Sequence, residues 1–375
     1  MPVDAPSLEA RLAARGISRR QFLKFCGVLT ATLALPEGYA QKIAHALETG
    51  PRLPVVWLEF QDCAGNTESF LRASTPTVAE IVLEQISLDY HETIMAPAGH
   101  AAEKSLDAVL ANTGQPFLAI VEGSIPTKDG GIYCTIGGKT ALSIAENVCR
   151  KAAATIAVGA CAWDGGWPGA NPNPTGAVGV KTAVPGLKSL VNMPGCPMNV
   201  TNLTAVLAHF LTFKDLPALD QEGRPLFAYG QLIHNNCERR GHFDAGRFVE
   251  SWGDESHRMG YCLYKMGCKG PQTYSNCPAV GWNDGTSWPI GAGHGCVGCM
   301  SPHFWDNTIP VYERLPHIEG FGVEATADKV GMTALGVVAA GVVVHGVASA
   351  IRAKSSPQAT HDGSEVPVHT TTKKG

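Results

Sequence analysis

Cysteine and histidine are concentrated in one stretch of this 375-residue chain, from His234 to Cys299. Half of the 12 cysteines fall there, namely Cys237, Cys262, Cys268, Cys277, Cys296 and Cys299. His234 precedes Cys237 by three positions, and Cys296 and Cys299 form a Cys-x-x-Cys pair. Thiolates with an occasional imidazole are the ligands that iron–sulfur clusters and zinc both use. The stretch therefore indicates metal or cluster binding.

Disulfides are the alternative to metal for so many cysteines. Cross-linked frameworks are typical of small exported domains that cannot build a core. This chain is 45% hydrophobic and long enough for one or two domains with a substantial core. We therefore favour metal over disulfides.

The elements expected to position these side chains begin after Pro51, where strand-like and helix-like patterns alternate. Strands are predicted over 54–60, 87–95, 116–123 and 155–161, and helices over 76–86, 100–111 and 139–153. Such alternation predicts an α/β fold with a doubly wound parallel sheet. The alternation stops near Pro225, where we place a domain boundary, although residues 226–234 still have a strand-like pattern.

Three more cysteines fall where strands end. Cys63 follows the first strand, Cys161 ends the fourth, and Cys196 lies in a loop after another short apolar run. Loops at the carboxyl ends of parallel strands line one crevice, so these three cysteines are predicted to form a second site. Cys134 and Cys149 are interpreted as ordinary buried residues.

Several function classes are disfavoured by what the sequence lacks. The formal net charge of −4 offers no basic surface for nucleic acid. Neither a dinucleotide-binding glycine motif following a strand nor a phosphate-binding loop is present. No nucleophile elbow of the hydrolase type occurs either.

Both ends of the chain carry targeting signals. Residues 1–46 form a predicted twin-arginine signal peptide, with Arg19 and Arg20 before an apolar run that contains Cys26, and an Ala44-His45-Ala46 cleavage site. Residues 330–351 contain no acidic residue, lysine or arginine and are long enough for a membrane span. Arg352 and Lys354 follow, which predicts a cytoplasmic tail over 352–375.

Six motifs together resemble the small subunit of the membrane-bound nickel–iron hydrogenases. They are PVVWLEFQDCAGNTES, AVGACAWDGGWPGANPNPTGA, NMPGCP, IHNNCERRGHFDAGRF, GYCLYKMGCKGP and GHGCVGCM. The resemblance covers nearly the whole chain, including the leader and the apolar tail. It implies a flavodoxin-like domain over 47–225 with a proximal cluster and an irregular iron–sulfur domain over 226–325 with medial and distal clusters.

The resemblance also implies a ligand set for each cluster. The proximal ligands are Cys63, Cys161 and Cys196; the distal [4Fe-4S] ligands are His234, Cys237, Cys262 and Cys268; the medial [3Fe-4S] ligands are Cys277, Cys296 and Cys299. A three-cysteine set suits a cluster that lacks one iron. Pro289 matches the family's non-ligating residue beside the medial cluster.

One position departs from the family pattern. The family's second proximal cysteine is replaced by Asn66 in the sequence Cys63-Ala64-Gly65-Asn66. Gly65 and Gly166 stand where the oxygen-tolerant subgroup has extra cysteines. The fourth proximal iron is then bound by Asn66, by Asp62 or Glu68, or by solvent, or it is missing. We predict a proximal iron–sulfur cluster of the [4Fe-4S] type with a non-cysteine fourth ligand and an altered potential.

The implied function is electron relay. Electrons from hydrogen oxidation in a large partner subunit pass through three clusters to a membrane acceptor such as a cytochrome b, on the periplasmic side. Two alternatives stay open at this stage: an iron–sulfur subunit of another exported oxidoreductase, and a membrane-anchored structural protein that binds zinc.

Overall fold

The computed structural model describes residues 18–36, 38–49, 52–74, 77–78, 81, 86–283, 285–313 and 327–355. The chain separates into two compact units, one extending to Leu315 and the other containing the C-terminal helix. The predicted boundary near Pro225 falls inside the first unit and stays a prediction. Most of the predicted helix over 76–86, and the tail beyond residue 355, lie outside the described residues.

A five-stranded parallel sheet forms the centre of the first unit. Its strands are β1 (Leu53–Glu59), β2 (Ile86–His91), β3 (Leu118–Glu122), β4 (Ala154–Val158) and β5 (Leu190–Met193). They lie in the order β2-β1-β3-β4-β5, and all four pairings are parallel. This is the strand order of the flavodoxin-like doubly wound fold. The predicted parallel α/β sheet is therefore confirmed.

Helices cover both faces of the sheet. They are α1 (Arg19–Thr32), α2 (Tyr39–Thr49), α3 (Gly65–Leu71), α4 (His100–Ala111), α5 (Ala141–Cys149), α6 (Gly159–Asp164), α7 (Gly166–Gly169), α8 (Val180–Ala183) and α9 (Val200–Phe213). Trp57 and Ile120 pack on one face with α9, whereas Val56 and Val121 pack on the other with α5. Because both faces are buried, β1, β3 and β4 are continuous apolar runs rather than alternating ones.

Two antiparallel ribbons lie outside the main sheet. One pairs Ile125–Pro126 with Ala177–Val178, and the other pairs Thr135–Ile136 with Lys139–Thr140. A 3₁₀ turn over Lys128–Gly131 lies between them in sequence. Cys149 is 2% exposed, as predicted, but Cys134 beside the second ribbon is only half-buried, so the interpretation of Cys134 as a buried residue was wrong.

The predicted signal peptide is helical where the structure describes it. Phe22, Phe25 and Leu29 of α1 are buried, and Cys26 has no exposed surface. These residues belong to the same hydrophobic cluster as Leu207 and Leu211 of α9. The predicted cleavage site over 44–46 lies within α2.

The region after Pro225 consists of short elements joined by loops. Its helical turns are Leu226–Tyr229, Ile233–Asn236, Arg240–Asp244, Glu255–Arg258, Tyr264–Met266, Gly270–Gln272, Cys277–Val280 and Phe304–Asn307. The prediction of strand structure over 226–234 is therefore wrong, because Leu226–Tyr229 form a helical turn flanked by Pro225 and Gly230. The Tyr229 hydroxyl donates to the Pro194 carbonyl at 2.9 Å, so this turn packs behind β5.

The second unit contains one long helix, Ala327–Ser355. Its segment Met332–Arg352, 21 residues long, is apolar and exposed, and it meets the length and composition of a membrane span. No other helix of that kind occurs among the described residues.

Candidate iron–sulfur sites

The three cysteines predicted to meet at the carboxyl edge of the sheet lie close together. Cys63 follows β1, Cys161 lies in α6 directly after β4, and Cys196 follows β5. Burial, together with the charges of Cys196 and Cys63, raises the pKa of the Cys161 thiol to about 12. A Cβ added to Gly65 would lie 3.1 Å from the Cys63 sulfur, so a small residue is needed beside this thiol. We call this set the sheet-edge group.

Asn66 lies beside this group, and its side chain is held by hydrogen bonds. It is 7% exposed. Its Oδ1 accepts from the Met198 backbone N–H at 2.8 Å, and its Nδ2 donates to Glu122 at 3.2 Å. A Cβ on Gly159 would come within 2.6 Å of both amide atoms, so Gly159 leaves room for the amide. Asn66 follows Cys63 in the chain and contacts the segments that carry Cys161 and Cys196, so it connects all three parts of the sheet-edge group.

The Glu122 carboxylate is the buried centre of this arrangement. It accepts from the backbone N–H groups of Asn66 at 2.8 Å and Thr67 at 3.0 Å, from the Thr67 hydroxyl, and from the Trp57 ring nitrogen. Burial raises the pKa of Glu122, and these hydrogen bonds lower it. Glu122 was not predicted from the sequence; its only signal was an acidic residue ending an otherwise apolar strand.

Four predicted ligands surround a small pocket in the region after Pro225. His234, Cys237, Cys262 and Cys268 line it, together with Arg239 and Ile290. Burial raises the pKa of the Cys262 thiol to about 12, and the charges of Cys268 and Cys237 add to this shift. We call this set the histidine group.

The imidazole of His234 is suited to bind a metal. Desolvation and the Arg240 charge lower its pKa, which favours the neutral form that ligates metals. The ring packs edge-on against Phe243, with 4.5 Å between ring centroids. This contact holds the imidazole next to the pocket.

The remaining three predicted ligands line an apolar cavity between the other two groups. Cys277, Cys296 and Cys299 surround about 190 Å³ together with Trp288 and Pro289. Pro289 is therefore placed as the resemblance implied. Burial raises the pKa of the Cys299 thiol to about 12, and the Cys277 charge contributes. We call this set the central group.

Close contacts connect neighbouring groups. The backbone N–H of Cys296 donates to the Cys268 sulfur at 3.3 Å and joins the central group to the histidine group. Cys196 of the sheet-edge group lines the same cavity as Cys299 of the central group. The three groups therefore form a continuous series in the order sheet-edge, central, histidine.

The donor sets fit iron–sulfur clusters better than single ions. The only ligand atoms among the described residues that lie within 4.8 Å of one another in a set of three are the carboxylates of Glu59, Asp62 and Glu122. No described set of three cysteine or histidine ligand atoms is close enough for one zinc ion, whereas clusters hold their thiolates further apart. Thiols of raised pKa must lose protons to bind metal, so binding at each group releases protons.

Comparisons with known proteins agree with this arrangement. A family model for the C-terminal part of the NiFe/NiFeSe hydrogenase small subunit matches residues 229–312. A second, described as the NADH ubiquinone oxidoreductase 20 Kd subunit, matches residues 63–210. The uptake hydrogenase small subunit of Azotobacter vinelandii is 47% identical over 338 residues, which are 90% of this chain and 94% of that protein.

The chain belongs to the nickel–iron hydrogenase small subunits. The hydrogenase-1 small chain of Escherichia coli is 45% identical, over 90% of each chain. The [NiFeSe] hydrogenase of Desulfomicrobium baculatum superposes with a TM-score of 0.66 at 35% identity, over 71% of this chain and 100% of that one. An actinobacterial-type hydrogenase of Ralstonia eutropha has a TM-score of 0.65 at 23% identity, over 85% of this chain and 95% of that chain, which shows the shared fold.

Membership settles the general function. This hydrogenase small subunit is an electron-transfer subunit that binds iron–sulfur clusters and pairs with a large nickel–iron subunit. The predicted family and function are confirmed. Membership in this family excludes the two alternative functions, an iron–sulfur subunit of another exported oxidoreductase and a structural zinc protein.

Proposed function

We propose that the three groups bind three clusters in series. The sheet-edge group holds the proximal cluster and the central group a medial [3Fe-4S] cluster. The histidine group holds a distal [4Fe-4S] cluster. The observation that supports this order most strongly is that neighbouring groups touch: the Cys296 N–H donates to the Cys268 sulfur, and Cys196 lines the cavity of the central group.

When bound, the clusters supply one-electron storage at three successive positions. The chain's own residues fix where those positions are. Backbone N–H groups of Arg239 and Gly298 donate to the sulfurs of Cys237 and Cys296, both at 3.4 Å. Such hydrogen bonds stabilise added negative charge and tune the reduction potential.

Three thiolates serve the proximal site, and the fourth ligand is not a cysteine. The Asn66 amide oxygen already accepts the Met198 N–H, and its nitrogen donates to Glu122, which disfavours the amide as a ligand. The Asp62 carboxylate accepts the Ala64 backbone N–H at 3.1 Å and lies within 4.8 Å of the carboxylate oxygens of Glu59 and Glu122, which occupy its surroundings. We therefore favour a ligand from outside the protein side chains, such as solvent, at the fourth corner.

The protein is anchored to a membrane by the C-terminal helix, with the clusters on the periplasmic side. The 21 residues of the segment Met332–Arg352, at about 1.5 Å each, span about 30 Å, the thickness of a hydrocarbon core. The twin-arginine motif supports export with cofactors already inserted. A cytochrome b in the same membrane is the proposed electron acceptor.

Purification of the complex from membranes tests the proposal. We expect a large partner that contains nickel and iron, hydrogen-dependent dye reduction, and three electron paramagnetic resonance (EPR) signals in a redox titration. Of these, one is a three-iron signal from the central group, which Cys277→Ser abolishes without loss of the other two. A preparation with only four-iron signals would contradict the medial assignment.

A further inference from the structure

Two cationic side chains are buried beside the central group. Arg224 is 8% exposed and Lys269 is 1% exposed. A buried charge is costly unless an opposite charge or several hydrogen bonds compensate it. How each charge is compensated indicates what each residue does.

Arg224 is compensated by the protein itself. Its Nε donates to Asp220 at 2.8 Å, and its Nη1 donates to the Met300 carbonyl at 3.2 Å. The guanidinium lies 5.6 Å from the Trp163 ring centroid and 5.8 Å from that of Tyr229. Arg224 is thus half of an ion pair, and its role is to tie segments together.

Lys269 has a different environment. Its Nζ donates to the backbone carbonyls of Pro310, at 3.3 Å, and Glu313. Among the described residues, no carboxylate oxygen lies within 4.0 Å of its ammonium group. Two carbonyls offset only part of the cost of burying a full positive charge.

Lys269 lies next to cysteines of two groups, and these are negatively charged thiolates when they bind a cluster. It directly follows Cys268 of the histidine group, and its backbone N–H donates to the Cys296 carbonyl of the central group at 2.7 Å. A Cβ on Gly298, which lies between Cys296 and Cys299, would come within 3.3 Å of the Lys269 Cβ. The side chain of Lys269 therefore leaves the backbone between a ligand of the histidine group and the loop that carries the central group.

We propose that Lys269 is a fixed positive charge that raises the reduction potentials of the medial and distal clusters together. This rests on the proposed cluster assignment. Reduction adds one negative charge to a cluster, and a nearby buried cation stabilises that charge in a low-dielectric setting. Lys269 thus acts through its charge, which makes the medial and distal clusters easier to reduce.

The test is a redox titration of the intact heterodimer followed by EPR, comparing wild type, Lys269→Met and Lys269→Arg. Lys269→Met keeps the volume and removes the charge, so we expect the medial and distal midpoint potentials to shift to lower values, with the proximal potential unchanged. Lys269→Arg should keep both near wild type. Lys269→Gln is a second neutral variant if Lys269→Met does not assemble.

Lys265→Met is the matched control. Lys265 lies four residues earlier in the same segment, is 39% exposed and pairs with Glu250, so water screens its charge and all three potentials should stay constant. Unchanged medial and distal potentials in the neutral variants would overturn the proposal, as would an equal shift of the proximal cluster. A wild-type protein without a three-iron signal would instead refute the cluster assignment.

Discussion

Asn66 stands where the sequence resemblance leads us to expect a cysteine, and its surroundings show how the amide is held. The amide bridges the Met198 N–H and the Glu122 carboxylate, and it is almost fully buried. A thiolate is soft and charged, whereas an amide is hard and neutral. In the proposed assignment, asparagine at this position gives the proximal site one negative charge and one iron ligand fewer than cysteine would.

Asn66→Cys should restore the missing ligand. We expect the Mössbauer spectrum of the heterodimer to lose the signal of one distinct iron of the proximal cluster, whose four irons would then all be thiolate-bound. The proximal potential should fall, because the new thiolate adds negative charge. Asn66→Ser is the control, since serine has the size of cysteine but is a poor match for iron in such clusters. Identical spectra for the two variants would exclude a fourth ligand position at residue 66.

The grouping of the cysteine and histidine side chains could be predicted from the sequence, but the residues that hold them in place could not. Close spacing along the chain identified His234, Cys237, Cys296 and Cys299, because such spacing is typical of metal sites. The contacts of Asn66 join residues 132 and 56 positions apart. No local pattern carries such information, so Glu122, Lys269 and the role of Asn66 needed the structure.

At the scale of elements, Cys161 is positioned by α6, the helix in which it lies. The loop before α8 packs closely against the end of this helix. A Cβ on Gly179 would lie 2.0 Å from the Trp163 carbonyl oxygen and 2.8 Å from the Asp164 nitrogen. Both contacts are to backbone, which cannot rotate away. The loop can therefore pack this closely against the end of α6 only if residue 179 is glycine.

Gly179→Ala should destabilise the subunit by about 1–3 kcal/mol or more, as overpacking does, and should reduce iron bound at the sheet edge. Thermal unfolding and iron analysis of the heterodimer measure both effects. Gly114→Ala is the control, because its nearest neighbour would be a side-chain oxygen at 3.6 Å. Equal midpoints for the two variants would mean that α6 adjusts freely.

The turn after β2 contains a carboxyl group that makes stability depend on pH. Burial raises the pKa of Glu92 to about 8, and the Glu59 charge contributes. Between about pH 4.5 and 8 the folded protein therefore binds more protons than the unfolded chain, so stability falls as pH rises. This group contributes at most about 1.4 kcal/mol per pH unit.

Glu92→Gln should remove this part of the slope and raise the thermal midpoint at pH 8 more than at pH 5. Glutamine still accepts from the Glu59 N–H, which lies 2.9 Å from Oε2. The same change at exposed Glu146 should shift the midpoint equally at both pH values. A Glu92→Gln midpoint that follows wild type across this range would contradict the assignment.

The elements with strong periodicity were predicted well, and the weak ones were not. The strand predicted over 116–123 and the helix over 100–111 match β3 and α4 closely. Residues 226–234 have the apolar content of a strand but fold as helical turns, since Tyr229 and Ile233 are buried by contacts with distant residues. Tertiary packing overrode local preference there.

At the scale of the whole molecule, the proposed membrane anchor is a separate helix, so membrane attachment should be separable from catalysis. A chain ending at residue 326 lacks the apolar segment Met332–Arg352. We expect its complex in the soluble fraction, with dye-linked hydrogen oxidation retained and quinone-linked oxidation lost. A control with five leucine-for-valine changes in the segment should stay in membranes. Quinone-linked activity in the truncated complex would contradict the proposed route to the acceptor.

The contacts between neighbouring groups also bear on the proposed electron path. The backbone N–H of Cys296 donates to the Cys268 sulfur, and Cys196 lines the same cavity as Cys299. The folded backbone alone therefore brings each group next to the following one. Electron passage along the series needs no moving segment to complete the path.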